Sequence, residues 1–325
     1  MDKTSTSDSI EITDDAIALE RKVGAERRVE IVRSLLGMSR APVAIFVVAH
    51  AGLASIFALG HMPTFSTILI GVVACLTGTG ALIGLNDLLD VDLDRRRMAY
   101  LNTAEELDIG STFIHHPVAK GVISMRMGII WSGILSVISL YFISLLRTDL
   151  WPIFIAIAVC VILYSKLSEV SYLKFLAVAS AVTLGALAGW FAVGGPVNAT
   201  LALFIVWTFV WEIGGRNIPN DFNDVEEDKP LGIQTIPVVL GPQKAAQIVF
   251  GTLLATFALS ILLIMTTEFS PIFFAAIPVI GAYVLLVPAY DLFKDPTPKT
   301  SMKLYNRSAI YPLLLLAVLM ATLYV

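Results

Sequence analysis

Nine apolar runs alternate with polar, charged stretches along the 325-residue chain. They cover 41–60, 66–85, 122–145, 150–165, 173–193, 199–215, 245–266, 270–290 and 308–325. A helix needs roughly 20 mostly apolar residues to cross a bilayer, so all but the short fourth run are long enough or nearly so. The pattern predicts an all-α fold, a polytopic membrane bundle of about nine transmembrane helices. Before the first run, residues 17–40 mix Val29, Val32, Leu35 and Leu36 with Arg21, Lys22, Arg27, Arg28 and Arg33. That reads as an amphipathic helix lying on the membrane or as a solvated one. The first fifteen residues, rich in Ser, Thr and Asp, read as a disordered tail. Residues 1–20 carry no short apolar core, so no signal peptide is expected. The organisation expected is a cytoplasmic N-terminus over 1–32 and one membrane domain over 33–325.

Composition agrees: 57% of residues are hydrophobic and 15% charged, against about 25% charged in soluble domains. The net charge of −4 argues against nucleic acid as a partner. Position says more than the sum. With the N-terminus inside, the segments 1–40, 86–121, 166–172, 216–244 and 291–307 face the cytoplasm. They gather every Lys and Arg except Arg147 at or close to the inner ends of the spans, as the positive-inside rule requires. Cys75 and Cys160 lie in apolar runs and suggest neither a disulfide framework nor a zinc site.

Two acidic stretches carry the candidate chemistry. Residues 86–94 read Asn-Asp-Leu-Leu-Asp-Val-Asp-Leu-Asp, and 220–228 read Asn-Asp-Phe-Asn-Asp-Val-Glu-Glu-Asp. Asn86, Asp87, Asp90 and Asp94 recur at Asn220, Asp221, Asp224 and Asp228, each 134 residues later, an internal repeat. On an α-helix, at about 100° per residue, positions 86, 90, 94 and 87 fall near 0°, 40°, 80° and 100°. One Asn and three Asp share a face, and Asp92, with its counterpart Glu226, points elsewhere. Three carboxylates on one face repel unless they surround a cation. Hard oxygen donors suit Mg²⁺, which takes one or two carboxylates together with substrate phosphates. Two such faces, one per half, can hold a diphosphate between them through bridging metal ions. A single acidic run is usually a solvated helix end; two in-register copies on the same side are not.

These residues resemble the UbiA superfamily of intramembrane prenyltransferases. The first motif matches its Asn-Asp-x-x-Asp-x-x-x-Asp pattern. The second matches Asp-x-x-Asp-x-x-x-Asp and is followed by Lys229, Gly232, Ile233, Thr235, Pro237 and Gly241. The resemblance covers residues from about 33 to the end. It implies a helical bundle around an apolar chamber, with Mg²⁺ held by Asn86, Asp90 and Asp94 on one side and by Asp224 and Asp228 on the other, and with Asp87, Asp90, Asp221 and Asp224 as catalytic acids, Asp87 and Asp221 assisting or orienting. It implies basic and polar diphosphate-binding residues, for which Arg40, His116, Lys120, Tyr164 and Lys174 are the candidates. The implied reaction moves a prenyl group, such as geranylgeranyl, from a polyprenyl diphosphate to an aromatic or lipid acceptor, in contact with membrane lipid. The stretch 211–228 looks most like the branch that prenylates glycerol-phosphate lipids or homogentisate-type rings.

Departures are visible. The family's Arg-Pro-x-x-x-Gly is here His116-Pro117-Val118-Ala119-Lys120-Gly121, so His replaces Arg and the loop over 95–115 is enlarged. Thr103 and Glu106 fit a helix start there, so the loop is expected to be a lid over the chamber mouth or a passive insertion. His115 is a further diphosphate or acid–base candidate. Glu212, one turn before Arg216 in an apolar span, is expected to pair with it. Trp131, Tyr141, Trp190, Phe191, Trp207 and Trp211 are expected mainly to pack, with carbocation stabilisation as the functional alternative. Two rivals share the motifs: a membrane terpene cyclase, which ionises the same diphosphate without an acceptor, and a cation transporter.

Overall fold

The computed structural model of the protein describes residues 14–98 and 115–323, and among these every regular element is helical. The enlarged loop lies, over 99–114, outside the described residues, as do residues 1–13 of the expected tail. Among the described residues nine helical segments are long and apolar enough to span a bilayer, and the protein is an integral membrane protein. An initial helix α1 (Asp14–Met38) runs through the boundary expected at residue 32 and turns at Ser39-Arg40 into α2 (Ala41–Leu59). Then come α3 (Phe65–Leu89), the short α4 (Val91–Met98), α5 (Met125–Leu146), α6 (Trp151–Ser168) and α7 (Lys174–Ala192). The second half holds α8 (Ala199–Trp211), α9 (Ile218–Asp221), α10 (Val225–Leu231), α11 (Ile236–Leu240) and α12 (Pro242–Ile264). It ends with α13 (Pro271–Gly281), α14 (Val287–Lys294) and α15 (Pro298–Thr322).

The helix starts follow from local chemistry. Side chains of Thr64, Ser124, Asn198 and Ser270 accept backbone N–H groups of the turns they open, satisfying donors that have no intrahelical partner. The ninth span differs from the sequence expectation. It begins at Pro298 rather than 308, because Ser301 and Ser308 turn inward and are fully buried while Lys303 and Arg307 stay at the rim, so a polar-looking segment is helical.

Apolar side chains cover the outer surface: Ile130, Val137 and Val279 are more than half exposed, as lipid-facing positions are. Tyr141 is among them, 61% exposed, and so cannot line a chamber. The interior between α2, α8, α12, α13 and α15 is filled by Trp207, Trp211, Phe204, Phe273 and Tyr311. Their polar handles are met: Trp207 Nε1 donates to Ser260 Oγ at 2.8 Å, and Ser260 Oγ lies 2.8 Å from Tyr311 Oη. A small cavity among Leu53, Phe57, Phe204, Trp207 and Leu315 has room for about one water.

Small residues let α2 and α7 touch. A Cβ on Gly189 would stand 2.4 Å from the backbone oxygen of Ala51. Gly189→Ala is therefore expected to destabilise by about 1–3 kcal/mol, since the helices must part, seen as a lower melting temperature in detergent. Gly133→Ala, whose added Cβ meets nothing within 4 Å, is expected to leave it unchanged.

Candidate active site

The two acidic motifs sit where long spans end. The first straddles a bend: α3 stops at Leu89, Asp90 caps it, and α4 follows. The i→i+4 register survives, because Asp90 N–H donates to Asn86 O at 3.0 Å and Asp94 N–H to Asp90 O at 2.8 Å. Asp87 and Asp94 are consequently buried, and Asp92 is exposed. The second motif is broken more strongly. After α8 the chain forms a π-helical segment, Glu212–Asn217, then α9, a turn over 222–224, and α10. Asp228 N–H still donates to Asp224 O at 2.7 Å, Asp221 and Asp228 are buried, and Glu226 is exposed. The expected single helix per motif is thus corrected to two short pieces that keep the same face.

Each acid has partners. Asn86 Nδ2 donates to Asp90 Oδ2 at 2.7 Å and to Ser165 Oγ at 2.9 Å. Asp87 Oδ1 lies 3.5 Å from both Arg40 Nη2 and His116 Nδ1, and His116 Nδ1 is 2.7 Å from Asp94 Oδ2. Asp221 Oδ1 is 3.1 Å from Lys174 Nζ, itself 5.4 Å from the Tyr164 ring centre. Arg97 Nη2 donates to Asp228 Oδ1 at 2.8 Å. This last bond joins the helix of the first motif to the second motif, so the two sets face one site. Tyr164 stands between them, in electrostatic reach of Lys174, Asp221, Arg97 and Asp224.

Backbone strain concentrates here too. Among the described residues only Arg40 (φ 41°) and His116 (φ 51°) are non-glycine residues with positive φ, a conformation costing on the order of 1 kcal/mol or more each. Their side chains meet, Arg40 Nη2 lying 3.2 Å from His116 Nε2. Arg40 turns the chain from α1 into α2, and His116 opens the turn closed by Lys120 N–H donating to His116 O.

The sequence candidates Asn86, Asp87, Asp90, Asp94, Asp221, Asp224, Asp228, Arg40, His116, Tyr164 and Lys174 thus converge, whereas the Lys120 side chain is exposed. Arg97, Ser165 and Tyr305 were missed. Arg97 was legible: extending the wheel above places it near 20°, inside the acidic face. Ser165 and Tyr305 arrive from other helices and leave no local signal. The expected Glu212–Arg216 pair is loosened: Arg216 lies in electrostatic reach of Glu212, but its Nη2 donates to Tyr305 Oη at 2.7 Å and no direct ion pair joins it to Glu212 among the described residues. The i,i+4 argument assumes an α-helix, and the π-helical turn shifts Arg216 off that face.

The donor set fits a hard divalent cation. Asp87 Oδ2 and Asp228 Oδ2 are buried and accept no hydrogen bond, an expensive state for a carboxylate that metal ligation relieves. Burial pushes Asp90 up to about 6, with the charge of Asp94 adding to it. Burial likewise pushes Asp228 up to about 6, against the opposing pull of Arg97. Below pH 6 both are protonated, and a protonated carboxyl cannot ligate. Mg²⁺ affinity is therefore expected to fall about tenfold per pH unit for each displaced proton below that point, measured by calorimetry from pH 7.5 to 5.

Residues 45–321 match the model of the UbiA prenyltransferase family. The digeranylgeranylglyceryl phosphate synthase of Thermococcus sibiricus is 26% identical over 255 residues, 78% of this chain and 84% of that relative. That of Natronomonas pharaonis is 27% identical, over 68% of this chain and 74% of the relative. Among solved structures, the apo UbiA homolog from Aeropyrum pernix K1 superposes with a TM-score of 0.69 at 18% identity, covering 86% of this chain and 98% of that one. A UbiA homolog from Archaeoglobus fulgidus bound to DMAPP and Mg²⁺ gives 0.65 at 19% identity, covering 90% and 99%.

Proposed function

The chain belongs to the UbiA prenyltransferase family, and from that premise we propose that it transfers a geranylgeranyl group from its diphosphate to a prenylated glycerol-phosphate lipid. The Arg97–Asp228 bond carries the reading, because it brings both acidic motifs, each with a buried carboxylate oxygen lacking a partner, around one site. The relatives named above favour a lipid over an aromatic acceptor. The motifs and the N-terminus face the cytoplasm.

Asn86, Asp90 and Asp94 would hold one divalent cation, and Asp224 and Asp228 the other. Bound Mg²⁺ neutralises charge on the departing diphosphate. The chain's own cations, Arg40, Arg97 and Lys174, release their carboxylates in part and turn to the phosphate oxygens, where charge develops. The C–O bond to diphosphate breaks, the acceptor oxygen bonds to the same carbon and loses its proton, and the apolar packing beneath Arg216 and Phe46, whose ring centre is 5.3 Å from the guanidinium, excludes water.

The test is mass spectrometry of products from labelled geranylgeranyl diphosphate and Mg²⁺ with an acceptor panel. A prenyl ether of geranylgeranylglyceryl phosphate is expected. A prenylated aromatic ring as the product would overturn the lipid assignment. A cyclic hydrocarbon or alcohol formed without acceptor would indicate a cyclase, and metal flux into proteoliposomes without prenyl substrate a transporter.

A further inference from the structure

The Asp87, Asp94 and His116 ligand atoms lie within 4.8 Å of one another, and one of them is nitrogen. Asp87 and Asp94 are 2% and 6% exposed. Asp87 Oδ2, Asp94 Oδ2 and His116 Nδ1 are all buried without a hydrogen-bond partner. That is so even though His116 Nδ1 stands 2.7 Å from Asp94 Oδ2 and 3.5 Å from Asp87 Oδ1: the close oxygen lies off the ring's N–H direction. Two ligands at right angles on one octahedral ion, each about 2.1 Å away, stand about 3.0 Å apart and off each other's lone-pair axis. The contacts of 2.7 and 3.5 Å bracket that spacing. The left-handed backbone at His116 (φ 51°) holds the ring in this position at a cost in strain, which a purely structural turn would avoid with Gly or Asn.

We propose that His116 Nδ1 is a metal ligand, completing with Asp87 and Asp94 a nitrogen-containing site that takes a first-row transition ion such as Mn²⁺ or Fe²⁺ in preference to Mg²⁺. The inference rests on the diphosphate reading above and adds a site beside its first cation site, with Asp94 common to both; the second motif, all oxygen, keeps the preference for Mg²⁺. Imidazole nitrogen binds transition ions far better than it binds Mg²⁺. Ligation also has a consequence for Arg40. With Nδ1 on the metal, Nε2 carries the proton, and a guanidinium 3.2 Å away then faces another donor. Arg40, 30% exposed at its side chain, has room to swing from His116 and Asp87 toward a bound diphosphate, so loading the ion frees the phosphate-binding cation.

The test uses the purified full-length protein with Mn²⁺ alone. Pulsed electron paramagnetic resonance should show imidazole ¹⁴N coupling to Mn²⁺ in the wild type and in His115→Asn, and none in His116→Asn, a residue that tolerates the left-handed backbone. Mn²⁺ affinity by calorimetry should fall about tenfold or more in His116→Asn, with Mg²⁺ affinity changed less than about threefold. Coupling absent from the wild type with Mn²⁺ bound, or retained in His116→Asn, overturns the proposal. Neither result touches the diphosphate reading, which fails separately if Asp90→Ala keeps wild-type turnover.

Discussion

Asp90→Ala and Asp224→Ala are each expected to lower turnover by roughly a hundredfold or more, about 3 kcal/mol of transition-state stabilisation, while the protein still inserts and folds. The two residues hold matching places 134 apart in the repeat, and each accepts the backbone N–H of the last Asp of its motif, Asp94 or Asp228. Truncation at the β-carbon keeps that backbone bond and removes only the carboxylate. Folding should therefore survive, as size-exclusion profiles and melting curves in detergent can show. Either variant turning over near the wild-type rate with saturating Mg²⁺ would contradict a two-motif site.

Arg97→Ala is expected to have the second largest effect, through a different route. Asp228 is fully buried and its Oδ1 accepts from Arg97. Burial alone would discourage the Arg97 charge, but Asp224 and Asp228 outweigh it and hold the guanidinium more firmly protonated than usual. Removing one partner of a buried pair leaves the other uncompensated, at about 3–5 kcal/mol. Without metal, Arg97→Ala should therefore melt well below the wild type, and Mg²⁺ should recover much of that difference by neutralising Asp228. Turnover should stay at least about tenfold down even with Mg²⁺ saturating, because a cation facing the diphosphate is gone. Arg97→Lys should restore stability better than rate, since an ammonium supplies charge without the planar fork. Equal melting curves with and without metal would contradict the link between the motifs.

Much of this was legible in the sequence, for definite reasons. Spans are set by the length of apolar runs, which is why α7 (Lys174–Ala192) and α13 with its continuation fall within a few residues of the expected 173–193 and 270–290. The acidic faces were legible because spacing of 3–4 residues survives a bend so long as the i→i+4 bonds persist, as they do at Asp94 and Asp228. The same wheel places Arg97 near 20°, inside the acidic face, so its signal lies in the sequence too. What the sequence could not give depends on tertiary approach. Ser165 reaches Asn86 across 79 positions, and Tyr305 reaches Arg216 across 89. The π-helical turn at 212–217 defeats any argument built on α-helical spacing, so Arg216 bonds Tyr305 Oη instead of closing an ion pair with Glu212. His116 was expected to stand in for a diphosphate-binding Arg. Its contact with Asp87 and Asp94 instead depends on a turn that composition does not reveal.

The most direct measurement of the central claim is calorimetric binding of geranylgeranyl thiodiphosphate, a non-ionising analogue, to the purified protein with and without Mg²⁺. If the diphosphate is held between two metal-bearing motifs, as proposed, binding should require Mg²⁺ and be lost in both Asp90→Ala and Asp224→Ala. Full-strength binding in EDTA, or binding retained in both variants, would contradict it.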